Sequence, residues 1–224
     1  MNILAFDSAD QVLSAALASG KNVWYFEIDD GIRHSELLME ITDMLFKTAH
    51  IQSTELNMVA CMKGPGSFTG LRIGFSAAKG LSMALGIPLV SIPTLDCLAY
   101  HLSPWPGIVV PAIDSKKQCF FSALYQNGIV LTDYMDVSAE TIAMEIEKKM
   151  NGKTVILTGS GAELLKTRLT EYIAPDLVTL DPQFRRGRAR ELLEIVKNGR
   201  ISGSNDLEAG PIYLRKSDAE LNGV

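Results

Sequence analysis

Two side-chain pairs stand out for the chemistry they could perform. Asp7-Ser8 closes the apolar run Ile3-Leu4-Ala5-Phe6, and Asp114-Ser115 closes Ile108 to Ile113. A carboxylate at a strand end can hold a hydrated Mg²⁺, and a small hydroxyl residue beside it leaves room for a phosphate. Asp and Ser are also ordinary strand-to-turn residues. Their recurrence points to an inherited nucleotide-binding architecture without showing that binding persists. A second candidate is Gly64-Pro65-Gly66-Ser67-Phe68-Thr69-Gly70. It follows an expected strand and opens an expected helix, where backbone N–H groups and the positive helix end favour an anion. No Lys-Ser/Thr follows the last glycine, so it is not a Walker A loop, and the glycine spacing does not fit the dinucleotide fingerprint. A tight turn in which Ser67 and Thr69 cap the helix competes with ligand contact. His34 opens His34-Ser35-Glu36-Leu37-Leu38. A helical metal pair would need a ligand four residues on, and Leu38 stands there, so His34 is expected as an exposed helix-start residue. None of the three histidines lies in a recognisable catalytic motif. Arg185, Arg186, Arg188 and Arg190 form the one basic cluster; it could touch phosphate, or be a solvated helix start interspersed with Glu191 and Glu194.

The elements that must position these residues occur twice. Ile3 to Phe6, Val12 to Ser19 and Val23 to Ile28 read as strands, with a turn at Gly20-Lys21-Asn22. A helix carries Leu37, Leu38, Ile41, Met44 and Leu45 at helical spacing. Asn57–Met62 reads as a strand, and Leu71–Leu85 as a helix stopped by Gly86 and Pro88. The second half repeats the order: a strand from Ile108, a turn at Gln126-Asn127-Gly128, a helix at Ala139–Met150, a strand at Thr154–Leu157, a turn at Gly159-Ser160-Gly161 and a helix at Ala162–Tyr172. One offset of 107 residues pairs Asp7 with Asp114, Ser8 with Ser115, Gln11 with Gln118, Ala16 with Ala123 and Leu17 with Leu124. This predicts two similar α/β lobes with a cleft between them. Pro104-Trp105-Pro106-Gly107 marks the boundary, giving lobes 1–103 and 104–224, with the last residues packing back on the first lobe. The tail adds a helix at Ala189–Lys197, a loop at Ile201–Asn205, and Pro211-Ile212-Tyr213-Leu214-Arg215.

The helix at Leu71–Leu85 is unusual in carrying Gly74, Ser76, Ala77, Ala78, Gly80 and Ala84 over more than one face. Small residues permit close approach on two sides, to a sheet on one and another helix on the other. Ordinary packing within the domain competes with a helix-pair interface built from His34, Leu37, Leu38, Ile41, Leu45, Ile73, Ala77, Ala78 and Leu81. Two such pairs would make a four-helix contact.

The chain has 224 residues, 47 % hydrophobic and 21 % charged, with 21 basic against 26 acidic residues and a net charge of −5. That is the balance of a globular protein with a real core, and it argues against a binder of nucleic acid driven by overall charge. Three cysteines without CxxC spacing argue against a disulfide framework or a cysteine zinc site and favour a reducing cytosol. No signal peptide is expected at the N-terminus, and the apolar run from Leu81 to Ile92 is too short for a membrane span.

The chain resembles the bacterial TsaB (YeaZ) family of the sugar kinase/heat-shock-70/actin superfamily. The resemblance is carried by Ile3–Ser8, His34–Leu38, and above all Gly64-Pro65-Gly66-Ser67-Phe68-Thr69-Gly70-Leu71-Arg72-Ile73-Gly74. Lys79-Gly80-Leu81, Gly86–Val90 and Pro211–Arg215 also fit. It implies an α/β fold of two duplicated ribonuclease-H-like lobes. It implies a role in making N6-threonylcarbamoyladenosine at adenosine 37 of tRNA, as a non-catalytic scaffold and activator of a homologous catalytic subunit, TsaD, which binds through the two N-terminal helices. An ATPase, TsaE, joins the assembly; tRNA is met mainly through the complex, and metal and ATP belong to the partners. The chain itself is expected to need no cofactor, to bind ATP or ADP weakly if at all through Asp7, Ser8, Gly64, Gly66, Ser67, Thr69, Gly70 and Asp114, to pair with itself when alone, and to work in the cytoplasm away from membranes. Asp114-Ser115-Lys116-Lys117-Gln118 departs from the family's Asp-Ala-Arg type of segment. A small-molecule kinase or ATPase of the same superfamily is the alternative. A peptidase is suggested only by an older label of the wider family.

Overall fold

The computed structural model describes residues 1–31, 33–199 and 206–214. Two compact units divide them. The first comprises Met1–Cys97 and the described part of Gly187–Ile212; the second comprises Leu98–Arg186 with Tyr213 and Leu214.

In the first unit, β1 (Asn2–Asp7), β2 (Leu13–Ser19), β3 (Asn22–Ile28), β4 (Met58–Gly64) and β5 (Leu89–Pro93) form one sheet in the order β3-β2-β1-β4-β5. β1 runs antiparallel to β2 and parallel to β4. A central strand covered on both faces needs apolar residues at every position, and Ile3, Leu4, Ala5 and Phe6 are all buried. Helix α1 (His34–Ala49) lays Leu38, Ile41 and Leu45 on the sheet and ends at His50 in the left-handed region. Helix α2 (Phe68–Leu85) is capped by Ser67, whose hydroxyl oxygen accepts from the Gly70 N–H at 3.2 Å, and stops at Gly86 with φ +65°. Helix α3 (Thr94–Tyr100) follows β5 and contains the division between the units.

The second unit repeats the plan. Strands β6 (Ile108–Lys116), β7 (Cys119–Ser122), β10 (Met135–Ser138), β11 (Val155–Thr158) and β12 (Val178–Leu180) lie in the order β10-β7-β6-β11-β12. A hairpin of β8 (Tyr125–Gln126) and β9 (Ile129–Val130) is inserted, and β8 pairs with β6. Helices α4 (Ala139–Met150) and α5 (Ala162–Leu169) occupy the sequence positions of α1 and α2. Directions match strand for strand: β6 is antiparallel to β7 and parallel to β11, and β11 is parallel to β12. The sheet order thus repeats as the sequence duplication predicts.

The 107-residue offset holds for β1 and β6 but slips in the next strand. Ala5 faces Ala16, whereas Ala112 faces Ser122 rather than Ala123. The β1–β2 connection spans Ser8–Val12, while β6 and β7 are joined through Lys116, Lys117 and Gln118, all with φ between 52° and 66°. The shorter turn and a register shift between Asp114 and Lys116 change the offset by one. Two boundaries also differ from the sequence reading. The second unit begins at Leu98 rather than 104, and helix α6 (Ala189–Lys197) belongs to the first unit. Its Leu192, Leu193 and Val196 are buried, and it packs on β1, β2 and β4. The expected loop at Ile201–Asn205 and Arg215 lie outside the described residues.

Candidate functional site: the glycine loop and the paired helices

The glycine loop is filled by the chain itself. Ser67 N donates to the Ala9 carbonyl at 2.7 Å, and the Ser8 hydroxyl donates to the Gly70 carbonyl at 2.8 Å. A β-carbon on Gly66 would lie 2.3 Å from Ala9 O, one on Gly70 2.0 Å from Ser8 O, and one on Gly74 2.2 Å from Ser8 Oγ. These glycines let Ser8-Ala9 lie directly on the start of α2. Gly64, at φ +99°, admits the Ile212 backbone, whose N–H donates to the Lys63 carbonyl at 2.7 Å. Thr69 is exposed on the first turn of α2.

Asp7 is 5 % exposed and is bonded to the start of α6: its Oδ2 accepts from the Arg188 N–H at 2.7 Å and its Oδ1 from the Ala9 N–H at 3.1 Å. Burial pushes its pKa up to about 6, against the pull of those two amides. The Ser14 hydroxyl oxygen accepts from the Ala189 N–H at 3.1 Å, so two side chains of the sheet cap α6. Asp114 is placed differently. It is partly exposed and holds the Lys116 amide at 2.8 Å and the Lys116 ammonium at 3.1 Å. Burial opposes its ionisation, but the Lys116 amide and ammonium outweigh it and keep the carboxyl below its usual range. The paired Asp residues therefore do different work: one caps a helix, the other closes a hairpin.

The arginine cluster separates in the same way. Arg188 is 1 % exposed with Nη1 on Glu191 at 3.2 Å, so it offers nothing to a phosphate on the surface. Arg185 pairs with Glu163 at 2.9 Å, and Arg190 with Glu194 at 3.5 Å. His34 is buried, not exposed; its Nε2 lies 2.8 Å from the Asp10 carbonyl. Among the described residues no group of three or more His, Cys, Asp or Glu could hold a metal ion, and no helix is long and apolar enough to cross a membrane.

The expected docking stripe needs a correction. Leu38, Ile41, Leu45 and Ala78 are 0–3 % exposed and form the core of the first unit; the sheet takes their apolar stripe. Leu37, Ile73, Ala77 and Leu81 are half-buried at its margin. The outward side of the pair carries other residues: Met39 and Met44 on α1 and Met83 on α2, each 48–66 % exposed, beside the exposed Ser76, Gly80 and Ala84. A β-carbon on Gly80 would meet no atom within 4 Å. Glycine inside a helix costs about 1 kcal/mol relative to alanine, and nothing among the described residues repays it at this position. Helical spacing marked α1 as amphipathic but could not separate the stripe facing the sheet from the methionines between.

Two tandem α/β units with the strand order 3-2-1-4-5 make the duplicated two-lobe fold that the sequence resemblance implies. YeaZ from Pseudomonas aeruginosa superposes with a TM-score of 0.80 over 95 % of this chain and 99 % of that one at 23 % identity. An activator of 2-hydroxyisocaproyl-CoA dehydratase from Clostridium difficile shares the fold at a TM-score of 0.54, with 92 % of this chain and 99 % of that one covered at 10 % identity. The model of the family described as TsaD, tRNA N6-adenosine threonylcarbamoyltransferase, matches residues 31–222. The tRNA threonylcarbamoyladenosine biosynthesis protein TsaB of Escherichia coli is 33 % identical, with 98 % of this chain and 96 % of that protein covered. The TsaB of Bacillus subtilis is 27 % identical over 100 % and 98 %. The chain belongs to the TsaB (YeaZ) family.

Proposed function

We propose that this chain serves tRNA threonylcarbamoyladenosine biosynthesis as an accessory subunit that docks on a TsaD-type catalytic homologue through the outward face of α1 and α2. The observation carrying the reading is Gly80 together with Met39, Met44 and Met83. A helix position without a side chain and without a neighbour fits a second helix crossing close by, and flexible methionines suit the rim of such a contact. The same face would pair two copies when the partner is absent. Activation follows from differential affinity: a subunit that binds the working conformation of its partner more tightly shifts the partner toward it. The chain's own reaction chemistry is not needed in this account. Asp7, the carboxylate a kinase would turn toward a metal, is bonded to two amides of its own chain. Nucleotide, metal and ATPase activity are assigned to the partners, TsaD and the ATPase TsaE, and tRNA to the assembled complex in the cytoplasm.

Reconstituting tRNA modification with and without this chain tests the reading. Modification should depend on it, and Gly80→Arg or Met83→Asp should lower both TsaD co-purification and modified tRNA while the melting temperature holds. Undiminished association and modification in both variants would refute the docking face; modification by this chain alone would refute the accessory role.

A further inference from the structure

The duplication exposes a difference between the units that the family role leaves unused. In the first unit, the opening residue of α1 is His34, whose buried ring reaches the β1–β2 connection at the Asp10 carbonyl. In the second unit, the opening residue of α4 is Ala139, which cannot reach across. At that place, between the β6–β7 turn, the start of α4 and the end of α5, lies an open cavity of about 690 Å³. Lys117 and Gln118 line it on the turn side.

The lining carries both signs of charge. The less exposed part is Cys119, Ser138, Ala139 and Arg168. The Arg168 guanidinium is held in place: its Nη1 donates to the Gln118 carbonyl at 3.0 Å, and it stands 5.5 Å from the Phe120 ring centroid. A guanidinium has donors beyond the one spent on Gln118, and Arg168 lines the same cavity as Ser138 and Ala139 at the start of α4. The exposed part carries Glu140, Glu171 and Tyr172 on the helix side and Lys117 and Gln118 on the turn side. A carboxylate fits the inner part, and a cationic group fits the two outer carboxylates.

We propose that this cavity binds a small carboxylate that also bears an ammonium group, an amino acid or a short peptide, with its carboxylate on Arg168 and its ammonium toward Glu140 and Glu171. The volume has room for several residues.

Cys119 supplies the readout. It is the one cysteine that is not buried, and it lines the cavity. The rate at which iodoacetamide labels Cys119 in the full chain would be followed by intact mass, with triglycine, its C-terminal amide, N-acetyl-triglycine and free glycine as probes. Triglycine should slow labelling about tenfold at ten times its Kd. The amide should give no protection and the N-acetyl form less than triglycine. Protection by glycine as strong as by triglycine assigns the site to free amino acids; protection by triglycine alone assigns it to peptides. Arg168→Met should label at the wild-type rate and lose the protection, and Arg168→Lys should keep part of it. No protection by triglycine or glycine up to about 10 mM, the weakest affinity worth calling a site, or equal protection by the amide, overturns the proposal.

Discussion

Ser8 meets Gly70 in two ways: its hydroxyl donates to the Gly70 carbonyl at 2.8 Å, and its carbonyl oxygen lies 2.0 Å from the place a Gly70 β-carbon would take. The obstacle is backbone, which cannot rotate away. Gly70→Ala must therefore displace either the β1–β2 connection or the first turn of α2. Overpacking of this kind costs about 1–3 kcal/mol, more than the roughly 1 kcal/mol of helix propensity that alanine returns. Urea unfolding of the variant should show a lower midpoint at unchanged slope.

Gly80, in the same helix, should behave oppositely. Its missing β-carbon would meet no atom of the described residues within 4 Å. Gly80→Ala is expected to stabilise the isolated chain by about 0.5–1 kcal/mol and yet to weaken association with the catalytic homologue. Measuring the urea midpoint and the association constant on one preparation checks both. A variant that is less stable alone, or binds as tightly as wild type, contradicts the close-crossing reading.

The order of strands and helices was legible because buried strands announce themselves as continuous apolar runs and α1 by its 3.6-residue spacing. Ile3 to Phe6 and Leu38, Ile41 and Leu45 are examples. What covers an apolar stripe was not legible, so core residues were expected on a docking face and the exposed Met39 and Met83 were passed over. Long-range closures were invisible too. Nothing local says that Arg188 N meets Asp7, 181 residues away, or that this contact draws α6 into the first unit. The cavity beside Arg168 escaped because its lining comes from three separate stretches of chain with no motif among them.

Neighbouring residues on α1 separate fold from function. Leu45 is 0 % exposed and Met44 is 49 % exposed. Leu45→Ala should cost about 2–5 kcal/mol through the cavity it leaves. Met44→Asp should leave stability within about 0.5 kcal/mol and reduce co-purification of the TsaD-type partner. Thermal melts and pull-downs of the two variants give a crossed pattern; loss of stability in both would place Met44 in the core and remove it from the interface.

Two buried aspartates give stability opposite dependences on pH. Asp7 has its pKa raised to about 6 by burial. Between the unfolded value, about 3.9, and 6, the native state holds the proton that the unfolded chain has lost. Stability from this group is full below pH 4 and falls as pH rises through 6, by on the order of 2–3 kcal/mol. Asp181 is the reverse. Burial opposes its ionisation, but the His101 ring at 2.9 Å, the Gln183 amide at 2.9 Å and the Thr158 hydroxyl at 2.8 Å together lower its pKa to about 2. Its contribution is present above pH 4 and disappears as pH falls toward 2, by on the order of 2 kcal/mol. Urea midpoints of wild type, Asp7→Asn and Asp181→Asn across this range separate the two. Relative to wild type, Asp7→Asn should gain stability as pH rises from 4 to 6, and Asp181→Asn should lose its disadvantage as pH falls below 4. A stability difference between Asp7→Asn and wild type that stays constant from pH 4 to 6 would mean that the carboxyl is already ionised there and that the two amides of Ala9 and Arg188, not burial, dominate its environment.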